Sequence, residues 1–473
     1  MGLSDVVCSP SFYRSLQPCN TRSSDILARQ RVKNCIFSQS FKSAQLIAVP
    51  SILHNSSDKK SAGVPFRAAR SAIRSLSSFW QQRSRENREM RISILLAAAF
   101  GIGLTATGAA QTTTKQSSNQ AKGAMGKFNI TSTSWGKLPD GREATLFTIT
   151  NPSGMEVKLT DYGGHIVAVD VPDRNGKIAN VALGFDNLDA YVRHTAHFGS
   201  TIGRYGNRIA KGKFTLDGTQ YTLETNNGVN HLHGGSKGFD HQLWKAEQVT
   251  TPDAYGVKFT YVSKDGEANY PGTLTATATY WLTKDNELKI DYTATTDKNT
   301  VVNLTNHAYW NLAGAGSGDI LDQKIKVESD KYLAVDDTLI PTGETKDVKG
   351  TIMDFTKERA FRLGVDELKK QPILGYDHCY VLRSPGKMEL AATARDPKSG
   401  RIMEVWTDQP GVQLYTGNHL DGSAINGKFP QYSAFCLETQ HFPDSPNHPQ
   451  FPSTILKPGE EFKSTTIYKF KTE

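Results

Sequence analysis

Cysteine is scarce in this sequence, and its placement excludes several kinds of site. The five cysteines are Cys8, Cys19, Cys35, Cys379 and Cys436. Three of them fall in the first 35 residues, and the other two have no CxxC partner, so the spacing predicts neither a zinc site nor a redox pair. A disulfide scaffold is typical of much smaller secreted domains. Cysteine usage therefore gives no indication of the compartment in which the protein works.

Signatures of phosphate and dinucleotide binding are absent as well. The chain has no GxxxxGK[ST] loop, and it has no GxGxxG turn that follows a strand pattern and opens a helix pattern. Strand and helix patterns do not alternate along the chain, which disfavours a parallel α/β sheet. The sequence therefore does not indicate a nucleotide cofactor.

Acidic residues are scarce near the N-terminus. The whole chain has 55 Lys and Arg against 47 Asp and Glu, a net charge of +8. Residues 1–89 contain fourteen basic and five acidic side chains, so the remainder is close to neutral. Because the basic excess belongs to a Ser- and Arg-rich leader, it does not indicate a surface for nucleic acid. The leader resembles an organelle transit peptide, and upstream sequence outside the true protein is the alternative.

The most apolar run of the chain is shorter than the roughly 20 residues that a membrane-spanning helix needs. It lies within residues 90–110, which begin at Met90, have Arg88 and Arg91 as a positive flank, and end in small residues. This layout is typical of a secretory signal peptide and points to Met90 as the true start. We therefore favour a secreted protein without a stable membrane span after processing, with organelle targeting or a cytoplasmic location as alternatives. Residues 111–126 have the polar composition of a linker.

Residues 127–473 lack sustained helical periodicity. Apolar and other residues alternate instead, as from Leu274 to Leu282, and this period of two predicts β-strands. Asp217-Gly218 between two alternating runs predicts a two-residue hairpin turn. Brief helical patterns occur at Leu188–Val192 and Val365–Lys369. The sequence therefore predicts an all-β fold, a single large antiparallel β domain with few short helices.

Three ionisable side chains stand out in this domain. Glu438 follows the apolar run Ala434-Phe435-Cys436-Leu437, so it is either a base whose pKa is raised by an apolar pocket or a residue on the solvent face of its strand. His307 lies in an aromatic-rich strand, and His233 precedes Gly234-Gly235. The alternatives for them are a satisfied core histidine and a loop histidine. Because the three are far apart in the sequence, their spacing does not predict a metal site.

Five segments contain most of the unusual polar side chains, namely residues 203–210, 230–235, 303–312, 375–378 and 435–441. They include an Asn-Arg pair after a Gly-Arg, a Leu-His-Gly-Gly turn, a Thr-Asn-His-Ala-Tyr-Trp-Asn-Leu strand and a Leu-Glu-Thr-Gln strand. With these motifs, in family order, the domain resembles the aldose 1-epimerase family, the galactose-mutarotase-type enzymes that interconvert the α and β anomers of a free sugar.

The resemblance implies a large antiparallel β-sandwich with an open sugar-binding cleft, and a reaction without cofactor or metal. It implies that His307 is the general acid, that Glu438 is the general base and that His233 assists at the ring oxygen. It also implies a set of side chains that bind the sugar hydroxyls: Asn207, Arg208, Tyr309, Asp377 and Gln413. The expected partner is a small aldose such as galactose or glucose, and the expected state is a monomer or weak dimer.

Two other functions are kept as alternatives. A glycosidase usually works with a pair of carboxylates, whereas the candidate pair here is a histidine and a glutamate. A non-catalytic sugar-binding protein would keep the cleft without accelerating any reaction. Release of sugar from an aryl glycoside would reveal the first, and binding without rate acceleration would reveal the second.

Overall fold

The computed structural model describes residues 126–193 and 196–473. The leader (1–89), the signal-like segment (90–110) and the linker up to residue 125 lie outside the described residues, so these assignments stay predictions. The first strand begins at Asn129, close to the predicted start of the folded domain. In the two described stretches, no helix combines the length and the apolar character needed to cross a membrane.

Strands are the main secondary structure of the described chain. The first ten are β1 (Asn129–Lys137), β2 (Glu143–Thr150), β3 (Glu156–Thr160), β4 (Ile166–Pro172), β5 (Ile178–Asn180), β6 (Thr201–Ile202), β7 (Arg208–Ile209), β8 (Lys213–Leu216), β9 (Thr219–Thr222) and β10 (His231–Leu232). The next ten are β11 (Lys245–Thr250), β12 (Ala254–Ser263), β13 (Leu274–Thr283), β14 (Glu287–Thr296), β15 (Thr300–Val301), β16 (Thr305–Asn306), β17 (Lys324–Val327), β18 (Lys331–Val335), β19 (Pro341–Asp347) and β20 (Arg359–Ala360). The last seven are β21 (Asp377–Val381), β22 (Glu389–Arg395), β23 (Arg401–Thr407), β24 (Gly411–Tyr415), β25 (Cys436–Gln440), β26 (Ile455–Leu456) and β27 (Phe462–Thr472).

Helices are few and short, as predicted. The described residues form two α-helices, α1 (Leu188–Arg193) and α2 (Arg362–Leu368), at the two places where the sequence shows a helical pattern. Single 3₁₀ turns occupy Ala210–Gly212, Phe239–His241, Glu267–Asn269, Ala424–Asn426 and Ser445–Asn447.

Three sheets hold most of the strands. The first sheet has the order β1-β2-β3-β4-β5, the large sheet has the order β11-β12-β13-β14-β27-β23-β22-β17-β20, and the third sheet has the order β19-β18-β21-β24-β25. Four two-stranded ribbons complete the described strands, β7-β10, β6-β16, β8-β9 and β15-β26. All of these strand ladders are antiparallel. The predicted all-β antiparallel fold is therefore confirmed.

The alternation in the sequence places the core between the sheets. Along β13, buried and half-buried residues alternate without a break from Leu274 to Thr283. The buried side chains of this strand join a cluster that also contains Ile149 and Val157 of the first sheet. Facing inner surfaces of this kind define a β-sandwich. Each fully buried large apolar side chain contributes about 1.5–3 kcal/mol to folding, so the alternation itself specifies which face of each strand is packed.

The hairpin between β8 and β9 forms as predicted. Leu216 pairs with Thr219, so Asp217 and Gly218 alone make the turn. Both have positive φ, 51° and 77° respectively. Two successive left-handed residues fit the type I′ turn, whose twist matches that of the flanking strands.

Strand pairing brings the predicted site residues together from distant parts of the chain. In the third sheet, Gln413 pairs with Glu438. The β6-β16 ribbon places His307 beside the loop before β6, since the His307 N–H donates to the Ser200 carbonyl oxygen at 3.0 Å. The β7-β10 ribbon pairs Arg208 with Leu232, next to His233.

Candidate active site

A single cleft of about 270 Å³ gathers seven of the eight site residues predicted from the sequence. Its volume is close to the lower limit of known ligand pockets, which suits a small ligand. Gln413 does not line the cleft but lies directly behind it. The lining residues are Ala196, His197, Asn207, Arg208, Asn227, Leu232, His233, His307, Tyr309, Asp377, Tyr415, His419, Leu420, Asn426 and Glu438.

Glu438, the predicted base, lies in the middle of β25 and is 2 % exposed. The alternative that it faces solvent is therefore wrong, because every residue of β25 is buried. Its Oε2 atom has no hydrogen-bond partner among the described residues. Burial raises the pKa of the carboxyl well above its ordinary value, the charge of Asp377 raises it further, and Arg208 partly opposes both. A carboxylate with a raised pKa is a stronger base than a solvated one.

His307, the predicted acid, faces Glu438 across the cleft, with Nε2 3.7 Å from Oε1 of the glutamate. On its other side, Nδ1 lies 3.6 Å from Sγ of Cys436. Burial raises the pKa of the Cys436 thiol well above its usual range, so the sulfur stays a neutral thiol, which is a weak acceptor for Nδ1–H. That hydrogen bond would leave Nε2, the atom that faces the cleft, free to exchange a proton with a ligand.

Burial also weakens the charged form of the imidazole. It lowers the pKa of His307 to about 3, with a further lowering by His197. The two shifts have opposite directions and a common cause, since a buried carboxyl and a buried imidazole both resist charge. The pair can therefore share one proton between its two members. That single proton can be on Glu438, with both groups neutral, or on His307, with both groups charged.

His233 is fixed by the backbone next to it. The Asn207 N–H donates to Nδ1 of His233 at 3.2 Å, and the His233 N–H donates to the Asn207 carbonyl oxygen at 3.0 Å. Both residues have a left-handed backbone, with φ of 62° for Asn207 and 53° for His233. His233 lies in the turn after β10, but its side chain is 6 % exposed and packs edge-on against His307 at 5.1 Å between ring centroids.

Three of the predicted hydroxyl-binding residues form a connected group beside Glu438. Gln413 Nε2 donates to Asp377 Oδ1 at 2.6 Å, and Arg208 Nη1 lies 3.7 Å from Asp377 Oδ2. Arg208 Nε donates to Asn227 Oδ1 at 3.1 Å. Tyr309 stacks on the predicted acid, with 4.9 Å between the ring centroids. Charged groups fixed in this way present strong directional hydrogen bonds to a ligand.

The three residues of the acid–base group also resemble a set of metal ligands. One donor atom from each of His233, His307 and Glu438 lies within 4.8 Å of the other two, and all three side chains are buried. Their separation in the sequence, which disfavoured a metal, does not keep them apart in the fold. The expectation that the reaction needs no metal therefore rests on the family resemblance and stays a prediction.

Sequence reasoning missed several residues of the cleft. His197 lines it and is bonded to Asp240, while Tyr415, Asn227 and His419 complete the wall. His197 lies a few residues before the Gly-Arg motif, and Asp240 follows the Leu-His-Gly-Gly turn. Proximity to those motifs was the only signal in the sequence, since no spacing rule links the two residues.

The sequence and fold of this chain match those of known proteins. The family model for aldose 1-epimerase matches residues 145–469. A galactose mutarotase of Rattus norvegicus is 45 % identical over 346 residues, which cover 72 % of this chain and 98 % of the relative. An aldose 1-epimerase of Escherichia coli K12 is 38 % identical over 343 residues, covering 71 % of this chain and 97 % of the relative.

Comparison with solved structures supports the same family. A galactose 1-epimerase from Lactobacillus acidophilus superimposes with a TM-score of 0.66 at 28 % identity, covering 73 % of this chain and 99 % of the other. An aldose epimerase homologue from C. elegans gives a TM-score of 0.63 at 29 % identity, covering 68 % of this chain and 97 % of the other. The chain therefore belongs to the aldose 1-epimerase family.

Proposed function

We propose that the chain is an isomerase that interconverts the α and β anomers of free aldohexoses such as galactose and glucose, with Glu438 as base and His307 as acid. The observation that carries the proposal is the buried pair itself, with His307 Nε2 3.7 Å from Glu438 Oε1 at the floor of a sugar-sized cleft. Relatives named galactose mutarotase and aldose 1-epimerase, alignable over nearly their whole length, support the reaction.

Ring opening begins with the pair in its charged form. Glu438 takes the proton of the anomeric hydroxyl while protonated His307 gives a proton to the ring oxygen. The C1–O5 bond breaks, C1 and O1 form the aldehyde, and the pair is left neutral with its proton on Glu438. Positioned acids and bases each contribute roughly 10²–10⁴-fold to such a step.

Reclosure reverses these transfers on the other face of the aldehyde. Rotation about the C1–C2 bond exposes that face. His307 then takes the proton of the C5 hydroxyl as its oxygen attacks C1, and Glu438 returns a proton to O1. The single proton of the pair ends where it started, so the cycle needs no cofactor and no exchange with solvent.

The remaining residues would hold the sugar in place. His233, packed against His307, is suited to assist at the ring oxygen. The bonded group of Arg208, Asp377 and Gln413 is suited to bind hydroxyls, with Asn207 and Tyr309 at the sides. Preorganised contacts of this kind convert binding energy into correct orientation of the reacting atoms.

A glycosidase would need a second carboxylic acid that can donate a proton. Asp377 is the other carboxylate of the cleft, but Gln413 and Arg208 already occupy its oxygens. It is therefore placed to bind rather than to act as an acid. A purely sugar-binding role would not need an acid and a base that face each other, as His307 and Glu438 do at 3.7 Å.

Polarimetry of freshly dissolved α-D-galactose and α-D-glucose tests the proposal. The domain from residue 127 onward should speed relaxation to the unchanged final rotation, and the ratio of the two rates ranks the sugars. Folded protein that accelerates neither sugar would contradict the proposed reaction. Release of nitrophenol from aryl galactosides would favour a glycosidase instead.

Secretion, a start at Met90 and a monomer or weak dimer are further proposals. Mass spectrometry of the N-terminus of the protein from its native source tests secretion, because cleavage near residue 110 is expected. Mapping of the translation start site in the native source tests the start at Met90. Size-exclusion chromatography with light scattering tests the third. A stable higher oligomer would contradict it.

A further inference from the structure

The cleft contains one more ionisable pair, which the reaction proposed above does not use. His197 Nδ1 lies 2.7 Å from Asp240 Oδ2, and Asp240 is 1 % exposed. Burial raises the pKa of the Asp240 carboxyl, but the adjacent His197 and His241 outweigh burial and lower this pKa to about 2. Asp240 is therefore a carboxylate at neutral pH, and it holds the His197 ring by Nδ1.

The backbone also fixes His197 in place. Its φ is 57°, in the left-handed region that non-glycine residues rarely adopt. Strained positions of this kind persist where the surrounding structure enforces them, and they are concentrated at functional sites. The loop after His197 is bonded to the proposed acid, since the Gly199 N–H donates to the His307 carbonyl oxygen at 3.0 Å.

The His197 ring lies against the acid side of the cleft. It stacks on His307 with 5.8 Å between centroids and lies 5.0 Å from the ring of His233. Its side chain is 19 % exposed and lines the cleft. Nδ1 is occupied by Asp240, and Nε2 has no hydrogen-bond partner among residues 126–193 and 196–473. Nε2 is therefore available to a bound ligand.

The neighbours of Nε2 in a bound sugar follow from the chemistry of the sugar, given the proposed function. Glu438 takes the hydroxyl on C1, and His307 and His233 act at the ring oxygen. In a pyranose the ring oxygen joins C1 to C5, and C5 of an aldohexose bears the hydroxymethyl group C6. His197 packs on both of these histidines. It contacts the face of the His307 ring, whereas Glu438 meets the edge of that ring. We therefore place His197 on the C5 side of the sugar.

We propose that His197, held by Asp240, hydrogen-bonds through Nε2 to the C6 hydroxyl of the sugar and so favours aldohexoses over sugars that lack this group. A hydroxyl can donate to Nε2 of a neutral imidazole or accept from Nε2–H of a protonated one. The contact therefore does not depend on the charge of His197. It rests on the proposed mutarotase activity and adds a specificity determinant to it.

D-Galactose and its 6-deoxy analogue, D-fucose, differ by the one hydroxyl in question. We expect wild-type kcat/KM to favour galactose by roughly tenfold or more, because a site built to bond a hydroxyl discriminates against an analogue without it. His197→Phe keeps a ring to stack on His307 but removes both nitrogens. It should lower kcat/KM for galactose by a similar factor while leaving the value for D-fucose within about twofold of wild type.

Two further variants serve as controls. His197→Gln, whose amide can still bond a hydroxyl, should retain part of the preference. His241→Gln changes a residue that reaches the same Asp240 oxygen at 3.4 Å but does not line the cleft, and it should keep the full preference. If thermal unfolding shows that His197→Phe does not fold, the contact is tested by the ratio of kcat/KM for galactose to kcat/KM for D-fucose in the wild type and in His197→Gln.

The outcomes separate this inference from the proposed function. Wild-type protein that accelerates galactose and D-fucose equally would overturn the contact with C6 while leaving the mutarotase activity intact. An equal loss on both sugars in His197→Phe would overturn it too, since that result assigns His197 to the orientation of His307. Wild-type protein that accelerates neither sugar contradicts the proposed function itself.

Discussion

In the cleft, Asp377 is held by Gln413 and approached by Arg208, whereas Glu438 keeps an oxygen that has no hydrogen-bond partner among the described residues. We refer to Arg208, Asp377 and Gln413 as the hydroxyl end and to His233, His307 and Glu438 as the acid–base end. Both ends are buried, and both contain a carboxyl group. They differ in whether the protein or the substrate must complete the hydrogen bonds.

The difference has a physical consequence. A buried carboxylate with partners keeps its charge and its position, which suits a group that only binds. A buried carboxyl without partners has a raised pKa and gains when it takes a proton, which suits a base. The same residue type therefore serves two purposes, and the surroundings decide which.

The largest expected effect is at the acid–base end. Glu438→Gln should lower kcat for galactose by about 10³–10⁴-fold, because the amide cannot accept the anomeric proton. Sugar binding, measured by calorimetry or by quenching of tryptophan fluorescence, should change little. Glu389→Gln, at an exposed position of β22, is the matched control and should be fully active. Normal turnover in Glu438→Gln would contradict the assignment of Glu438 as the base.

A change at the hydroxyl end should be smaller and of another kind. Asp377→Asn should raise KM and lower kcat/KM by about 10–100-fold, the effect of one hydrogen bond to a charged group. The negative charge of Asp377 also raises the pKa of Glu438. Removing that charge should therefore shift the basic limb of the pH profile, which reports loss of the proton shared by the acid–base pair, to lower pH.

The exposed Asp253 provides the comparison for this variant, and Asp253→Asn should change neither constant. A loss confined to kcat in Asp377→Asn, with an unchanged KM, would contradict the assignment of the hydroxyl end to binding and of the acid–base end to proton transfer. An unshifted basic limb would show that the charge of Asp377 does not affect the pKa of Glu438.

A third variant tests how the acid is oriented. Cys436→Ala removes the thiol that lies 3.6 Å from His307 Nδ1, so the Nδ1–H of the imidazole loses its hydrogen-bond acceptor. We expect kcat to fall by roughly threefold to tenfold, in line with the loss of one weak hydrogen bond. Cys436→Ser, whose hydroxyl can accept the same hydrogen bond, should recover most of the loss. Equal activities for the Ala and Ser variants would show that packing, not the hydrogen bond, is what matters.

The smallest expected effect concerns stability. Because the folded-state pKa of Glu438 is raised, the folded chain binds this proton more tightly than the unfolded chain does. Its contribution to stability is fully present below the unfolded pKa near 4.5 and is lost as pH rises toward the folded pKa. At pH 8, Glu438→Gln should therefore be more stable than wild type by about 1–3 kcal/mol.

Urea unfolding at pH 4 and pH 8 measures this difference. The advantage of the variant should shrink at the lower pH, where the wild-type carboxyl is protonated in both states. An advantage that stays constant with pH would point to packing of the amide rather than to the cost of a buried charge.

Much of the fold could be predicted because the signals are local. Alternation from Leu274 to Leu282, the Asp217-Gly218 turn and the two short helices each depend on residues close in sequence, and the structure confirms them. The pairing order within the large sheet is different. It places β27 between β14 and β23, and no local pattern specifies such a long-range partner.

For the site, motifs identified residue types but not their surroundings. The solvent-facing alternative for Glu438 could be rejected only once β25 proved buried on both faces. Gln413 was expected to bind a sugar hydroxyl, and that role stays a prediction; the structure places it against Asp377, which lines the cleft. His197 was missed because its place at the site follows from a left-handed backbone and a bond to Asp240, which spacing does not encode.

The β6-β16 ribbon and the third sheet together imply an order of assembly. The proposed acid follows β16, while the proposed base lies in β25, 131 positions further along the chain (307 to 438). Long-range contacts form slowly, because closing a large loop costs chain entropy before any contact compensates it. Most of the sandwich must therefore be in place before the two side chains meet. In refolding experiments, the return of mutarotation should mark completion of the native topology, later than collapse or the recovery of strand signal in circular dichroism.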